Sequence, residues 1–212
     1  MKHRIGWIAM TLVLAWPALG GAAVYEDILQ AIELDDQRTV AELLKRGVDV
    51  NTTNEKGESL LILAARSGKP AVVQTLLAAR PNINSRNAQG ETALMHAAIR
   101  GRADIVKLLL NAGAEVNHSG WTPLMYAAAT NQMEVARMLI TRGAHVNATA
   151  QNGTTPLMMA AREGHLPMVL LLLEHGADVN YTSAFGYNAL SVALDRGRQE
   201  VADALIRAGA QP

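Results

Sequence analysis

Apolar residues fall into two kinds of short block that alternate along most of the chain. Blocks at 104–110, 134–140 and 168–173 carry them at helical spacing, and glycines follow at Gly113, Gly143 and Gly176, with Gly209 after the last such block. Glycine there ends a helix in the left-handed conformation that residues with a Cβ resist. The other kind opens with a capping Thr, as in Gly90-Glu91-Thr92-Ala93-Leu94, Gly120-Trp121-Thr122-Pro123-Leu124 and Gly153-Thr154-Thr155-Pro156-Leu157. A threonine before a proline places a cap ahead of the first turn, where the missing N–H of proline costs nothing. Two residues on comes a small pair, Ala97-Ala98, Ala127-Ala128 or Ala160-Ala161, and the blocks break at Gly68, Gly101, Gly164 and Gly197. The pattern predicts pairs of short helices, the first kept narrow enough for another helix to approach closely.

The blocks recur with a period. Gly-Ala-x-Val-Asn stands at 113–117, 143–147 and 176–180, with a variant at 47–51, so Asn51, Asn84, Asn117, Asn147 and Asn180 are 33, 33, 30 and 33 residues apart. Segments 57–65 and 186–194 are looser copies of the capped block. Self-similarity at a period of 20–50 residues signals a stack of supersecondary units, each burying its apolar face only against its neighbours.

These motifs resemble the ankyrin repeat across essentially the whole chain after its first two dozen residues. The resemblance implies an all-α ankyrin repeat solenoid of helix-turn-helix units, first helices inside, second helices outside, and hairpin-like turns projecting as fingers. The expected organisation is a leader at 1–23 and a repeat domain at 24–212, with repeats at 25–51, 52–84, 85–117, 118–147, 148–180 and 181–212, the end repeats capping the stack. Three departures from the family pattern stand out. The histidine usual after Thr-Pro-Leu is replaced by Ile62, Met95, Met125, Met158 and Ser191, so methionine packing is expected in its place. Arg80-Pro81 stands where Gly-Ala belongs; left-handed geometry at Arg80 costs roughly 1–2 kcal/mol, so a different turn is expected there. The fourth finger is three residues short, between Val116 and Gly120.

The N-terminus has another character. Lys2 and Arg4 precede an apolar run at 5–16, Pro17 breaks it, and a small-residue stretch leads to Gly21-Ala22-Ala23. That order is a bacterial-type secretory signal peptide, with cleavage expected after Ala22 or Ala23, Gly20 as a further site, and an uncleaved anchor as the alternative. The run is shorter than the roughly 20 residues of a spanning helix. The expected location is therefore periplasmic or secreted, with no stable membrane span after cleavage.

Composition narrows the chemistry. The 212 residues carry 19 basic and 19 acidic side chains, which disfavours a general nucleic-acid binder. Removing Lys2 and Arg4 with the leader leaves 17 basic residues against the 19 acidic. There is no cysteine, which excludes disulfides, thiol catalysis and Cys-based zinc sites. The histidines after the leader, His96, His118, His145, His165 and His175, show no metal-ligand spacing, and no nucleophile elbow, phosphate loop or dinucleotide fingerprint occurs. Asp35-Asp36 falls in the turn of the first repeat, and His118 and His145 read as exposed polar residues at the fingers. The Asn-x-Ser/Thr sites coincide with the repeat's own Val-Asn ending. No catalytic residue, metal or cofactor is expected.

Two features point to a protein partner instead. Trp121 and Tyr187 follow finger glycines, while Tyr181 and Phe185 lie in the last finger, and aromatic residues at such positions are favoured contacts. Arg66, Arg100, Arg162 and Arg196 end successive first helices, either because cations suit helix C-termini or as a band for an acidic protein surface. The expected function is a non-catalytic, exported protein-protein interaction module, a monomer that binds a protein partner through its fingers and concave face. The alternatives are an immunity or inhibitor protein capping an effector, or structural support for an envelope enzyme.

Overall fold

The structure, a computed structural model, describes residues 21–211; the expected leader lies outside the described residues except for its last three. Twelve helices form six pairs: α1 (Gly21–Glu33) and α2 (Gln37–Lys45), α3 (Leu60–Ser67) and α4 (Pro70–Ala78), α5 (Ala93–Ile99) and α6 (Ala103–Asn111), α7 (Pro123–Ala129) and α8 (Met133–Thr141), α9 (Pro156–Glu163) and α10 (Leu166–Glu174), and α11 (Ala189–Asp195) and α12 (Gln199–Arg207). From the second pair on, the first helix of each pair starts on a side-chain cap. Ser59, Thr92, Thr122 and Thr155 hydroxyls accept the N–H of Ile62, Met95, Met125 and Met158 at 3.2–3.3 Å, and Asn188 accepts that of Ser191 at 2.8 Å. Asp36 caps α2 in the same way, accepting from the backbone of Arg38 and Thr39.

Odd-numbered helices stack side by side in one layer and even-numbered helices in a second, more loosely packed layer. The alanine pairs set this difference. Ala64-Ala65, Ala97-Ala98, Ala127-Ala128 and Ala160-Ala161 are completely buried, so successive inner helices meet almost backbone to backbone. The outer layer carries Val72, Val106, Leu109, Leu139, Val169, Leu172 and Leu205, whose bulk holds its helices further apart. A stack tighter on one side than the other curves, with the inner helices on the concave side. Met95, Met125 and Met158 fill their expected places as buried core residues, and the Met95 sulfur also accepts the Thr92 N–H at 3.4 Å.

The recurrent asparagine ties the repeats to one another. The Asn51, Asn84, Asn117, Asn147 and Asn180 side-chain oxygens accept the backbone N–H of Asn82, Glu115, His145, Asp178 and Gln211, each in the next turn of the stack, at 2.7–2.9 Å. Asn117, Asn147 and Asn180 also donate to the carbonyls of Gly143, Gly176 and Gly209. One amide thus closes two backbone groups left open by the end of the following outer helix.

That end has a fixed form. After α6 the Gly113 N–H donates to Leu110 and the Ala114 N–H to Leu109, a Schellman closure repeated after α8, α10 and α12. Arg80 corrects the expectation of a different turn: it adopts the left-handed conformation at φ 56°, and its N–H still donates to Leu77. Pro81 has no N–H for the second bond. The staple from Asn51 to the Asn82 N–H holds the turn in the common path in spite of the strain. Asp35, at φ 57°, and Asn131, at φ 56°, similarly stand where the other four inner helices end in glycine.

Leu109 is fully buried between neighbouring pairs, whereas Leu108 is only half-buried. Leu109→Ala is expected to lower stability by about 2–5 kcal/mol through the cavity it leaves. Arg80→Gly is expected to raise it by up to about 1 kcal/mol by relieving left-handed strain. Urea unfolding of both variants measures these changes, and a destabilised Arg80→Gly would contradict the strain at that turn.

Candidate recognition surface

One side of every inner helix, with the finger before it, is left uncovered by the stack. The residue after each finger glycine forms a column along this side: Glu58, Glu91, Trp121, Thr154 and Tyr187. Four fingers close with the same hairpin bond, from Asn54, Asn87, Ala150 and Ser183 N–H to the Glu58, Glu91, Thr154 and Tyr187 carbonyls. The fourth finger, three residues shorter, has no counterpart to this bond among its described residues.

Beyond Glu91 the column carries two aromatics, Trp121 and Tyr187, with Thr154 between them. Trp121 is 39% exposed and leans on Tyr126, ring centroids 5.4 Å apart. Tyr187 and Phe185 are 50% and 71% exposed, while Tyr181 is half-buried against the core and serves packing. The structure therefore separates the four aromatic candidates into three that present apolar surface and one that is largely internal.

The arginines do not share one register. Arg66 and Arg162 lie in the last turns of α3 and α9, whereas Arg100 and Arg196 follow α5 and α11 as their terminal caps. The register of Arg66 continues as Ile99, Ala129, Arg162 and Asp195, so a continuous basic band is not formed. Arg66 is paired with the buried Glu58, and Arg162 with Glu163 at 2.9 Å. Cations just beyond these helices serve the stack: Arg198 Nε donates to the Arg162 carbonyl at 3.3 Å, and His165 Nε2 lies 3.1 Å from the Ala129 carbonyl. Gly101 follows α5 in the left-handed conformation at φ 64°, with the Gln132 side chain of the next repeat packed against it.

At the near end of the column the surface is a polar network that the sequence reading did not single out. Glu58 is buried and accepts from Asn54 at 2.7 Å as well as pairing with Arg66. Glu91, one repeat on, accepts from Asn87 at 3.0 Å and from the Tyr126 hydroxyl at 2.9 Å. Burial pushes the Glu91 carboxyl up, but these two hydrogen bonds and neighbouring His96 outweigh it and hold the pKa below its ordinary value. Burial, together with the Glu91 contact, raises that of Tyr126. His96 Nε2 lies 3.2 Å from Glu91 yet out of line for a hydrogen bond, and burial holds the imidazole below its usual range. Only stacking shows that Glu91, His96 and Tyr126 meet, because they come from two repeats.

His118 corrects a further expectation. Its side chain is 1% exposed, although the residue as a whole is half-buried, with Nδ1 2.9 Å from Arg86. Burial, then the Arg86 charge, lowers its pKa. His145 is exposed, as its position suggests.

Among the described residues no helix is long and apolar enough to cross a membrane, and no cluster of three His, Cys, Asp or Glu side chains is arranged to hold a metal. The arrangement is a candidate recognition surface on a repeat solenoid. A family model described as ankyrin repeats (3 copies) matches residues 28–119, 61–150 and 144–212, and the chain belongs to the ankyrin repeat family. Among solved structures it is similar to the human ASB11 ankyrin repeat domain, at 25% identity and a TM-score of 0.80, covering 87% of this chain and 84% of that one. No curated protein sequence matches it. Ankyrin repeats are generally protein–protein interaction modules, and the fold is typically a non-catalytic scaffold.

The depressed imidazoles have a definite pH signature. Their folded pKa values lie below the ordinary 6.5, so the neutral rings stabilise the fold fully above about pH 6.5. That stability is lost as pH falls from there through the folded values, because the unfolded chain takes up the protons first. Thermal melts from about pH 7 to 5 are expected to fall for the wild type and to fall less for His96→Gln/His118→Gln. An identical slope in both would contradict the burial of these rings.

Proposed function

We propose that the protein is an exported, non-catalytic binding module that engages a protein partner in the bacterial periplasm or outside the cell. The observation that carries this reading is the run of Trp121, Phe185 and Tyr187, exposed apolar rings held on stapled repeats. Aromatic rings on a rigid support lose little freedom on binding and supply large contact area, which is where interface energy concentrates. The short fourth finger leaves a step beside Trp121 into which a protruding element of a partner fits. Export is supported by the basic, apolar and small-residue order of the first 23 residues. Val24 and Tyr25 pack on the core, so cleavage after Ala22 or Ala23 spares the residues that anchor α1. As a binding module the protein acts as a monomer and holds no cofactor.

Intact-mass measurement on protein from the periplasmic fraction is expected to show a loss of about 20–23 residues. Once a partner is captured from envelope extract, Trp121→Ala and Tyr187→Ala should each weaken binding by more than about 1 kcal/mol, read by titration calorimetry. A full-length cytosolic protein would sink the export reading. Wild-type affinity in both variants, with loss in the outer-helix variants Glu134→Lys and Arg137→Glu, would move the interface to the convex side.

A further inference from the structure

The two ends of the stack are built differently. α1 exposes Glu26, Asp27 and Gln30, and Leu34 is the one large apolar side chain exposed beside it. At the other end Leu194 on α11 is 49% exposed and Ile206 on α12 is 54% exposed. Neither is a surface position elsewhere. Leu194 continues the register of Ala65, Ala98, Ala128 and Ala161, all completely buried. Ile206 continues that of Leu77, Leu110, Ile140 and Leu173, all packed on the core. Those residues have the helices of a following repeat against them, and among the described residues Leu194 and Ile206 do not. The last repeat thus leaves open the face that four earlier repeats bury.

The open face also lacks a donor that the stack supplies elsewhere. Arg102, Gln132 and Arg198 pack against Gly68, Gly101 and Gly164, each reaching back from the following repeat. His165 Nε2 lies 3.1 Å from the Ala129 carbonyl, and Arg198 Nε donates to the Arg162 carbonyl at 3.3 Å. Both carbonyls lie at inner-helix ends, where backbone acceptors are left over. Asp195 stands in the same register. Its carbonyl accepts no hydrogen bond among the described residues, and the space beside Gly197 is open.

We propose that this face docks an α-helix of the protein partner, laid against α11 where a following inner helix would lie, with an arginine at its C-terminal end set over Gly197 and bonded to the Asp195 carbonyl. The occupant follows from the interfaces inside the stack. There the same face is covered by a helix with small residues on its packed side and a donor four positions beyond them, as in Ala97-Ala98 and Arg102. Leu194 stands out where the alanines lie flush, so the guest helix carries glycine or alanine opposite it. Charge does not choose the guest, since Asp195, Glu200 and Asp203 balance Arg196, Arg198 and Arg207. Apolar contact, shape and the open carbonyl do. Neither end of a second copy supplies such a helix: α1 offers Glu26, Asp27 and Gln30, and the C-terminal end has already turned Arg198 inward. The inference rests on the protein-binding reading and adds to it a contact in the same repeat as Phe185 and Tyr187.

The test is a titration followed by amide chemical shifts, with a peptide copying residues 92–102 as the probe, because that segment carries the helix and the arginine that cover this face of α3. So short a helix is marginal in water, and a hydrocarbon bridge across its solvent side holds it. The peptide is expected to move the signals of Leu194, Gly197 and Ile206 saturably, and to bind roughly tenfold more weakly when it carries Arg102→Ala. Leu194→Glu and Ile206→Glu in the protein, exposed substitutions whose thermal melts report on folding, are each expected to weaken it by a similar factor. Leu170→Glu, an exposed position on the outer helix α10, leaves it unchanged. Signals of Leu194 and Ile206 that do not move, or wild-type affinity in both glutamate variants, overturn the inference. So does a dimer in sedimentation velocity that Leu194→Glu dissolves, which would make the face an interface between copies. Trp121→Ala and Tyr187→Ala separate this claim from the broader one. A partner lost in those variants while the peptide fails to bind wild type removes the end face and keeps the module.

Discussion

Every repeat after the first depends on its neighbour for closure of its backbone. An outer helix ends with open N–H and carbonyl groups, and the side chain that satisfies them comes from the asparagine one repeat earlier. The inner helices add the second half of the constraint, because paired alanines let them meet with nothing between their backbones. Neither contact exists within a single repeat. The stack is therefore held by interfaces, as expected of a solenoid whose stability is a sum of unit and nearest-neighbour contributions.

The same constraint shapes the recognition surface. Since the helices are tied on their packed sides, one residue per repeat after the finger glycine is free to vary, and this chain varies it from buried acid to exposed aromatic. Glu58 and Glu91 build a polar end, and Trp121 and Tyr187, on either side of Thr154, expose aromatic rings. Tyr126 joins Glu91 to Trp121. Sites of this kind need no moving parts, because the scaffold orders them before a partner arrives.

Most of the fold was legible in the sequence because it is written in local signals repeated at one period. Thr-Pro caps, alanine pairs and closing glycines each report on their own turn, and the structure places helices where they point. What the period could not report was anything made between repeats. Asn51 through Asn180 read as a repeat ending, but their role lies in the backbone of the next repeat. Arg80 read as a misfit because the strain was visible and the staple holding it was not. His118 read as exposed because its contact with Arg86 is made to the preceding repeat. The Glu91, His96 and Tyr126 cluster and the two registers of the arginines become visible only once adjacent inner helices are stacked.

Amide hydrogen exchange at the stapled positions tests the central claim that the stack is closed between repeats. The N–H groups of Asn82, Glu115, His145, Asp178 and Gln211 belong to exposed or half-exposed residues outside the helices, and the account predicts that they exchange slowly with solvent. It predicts further that Asn117→Ala releases His145 selectively while the other four stay protected. Fast exchange at all five in the wild-type protein, or unchanged protection of His145 in that variant, would contradict it.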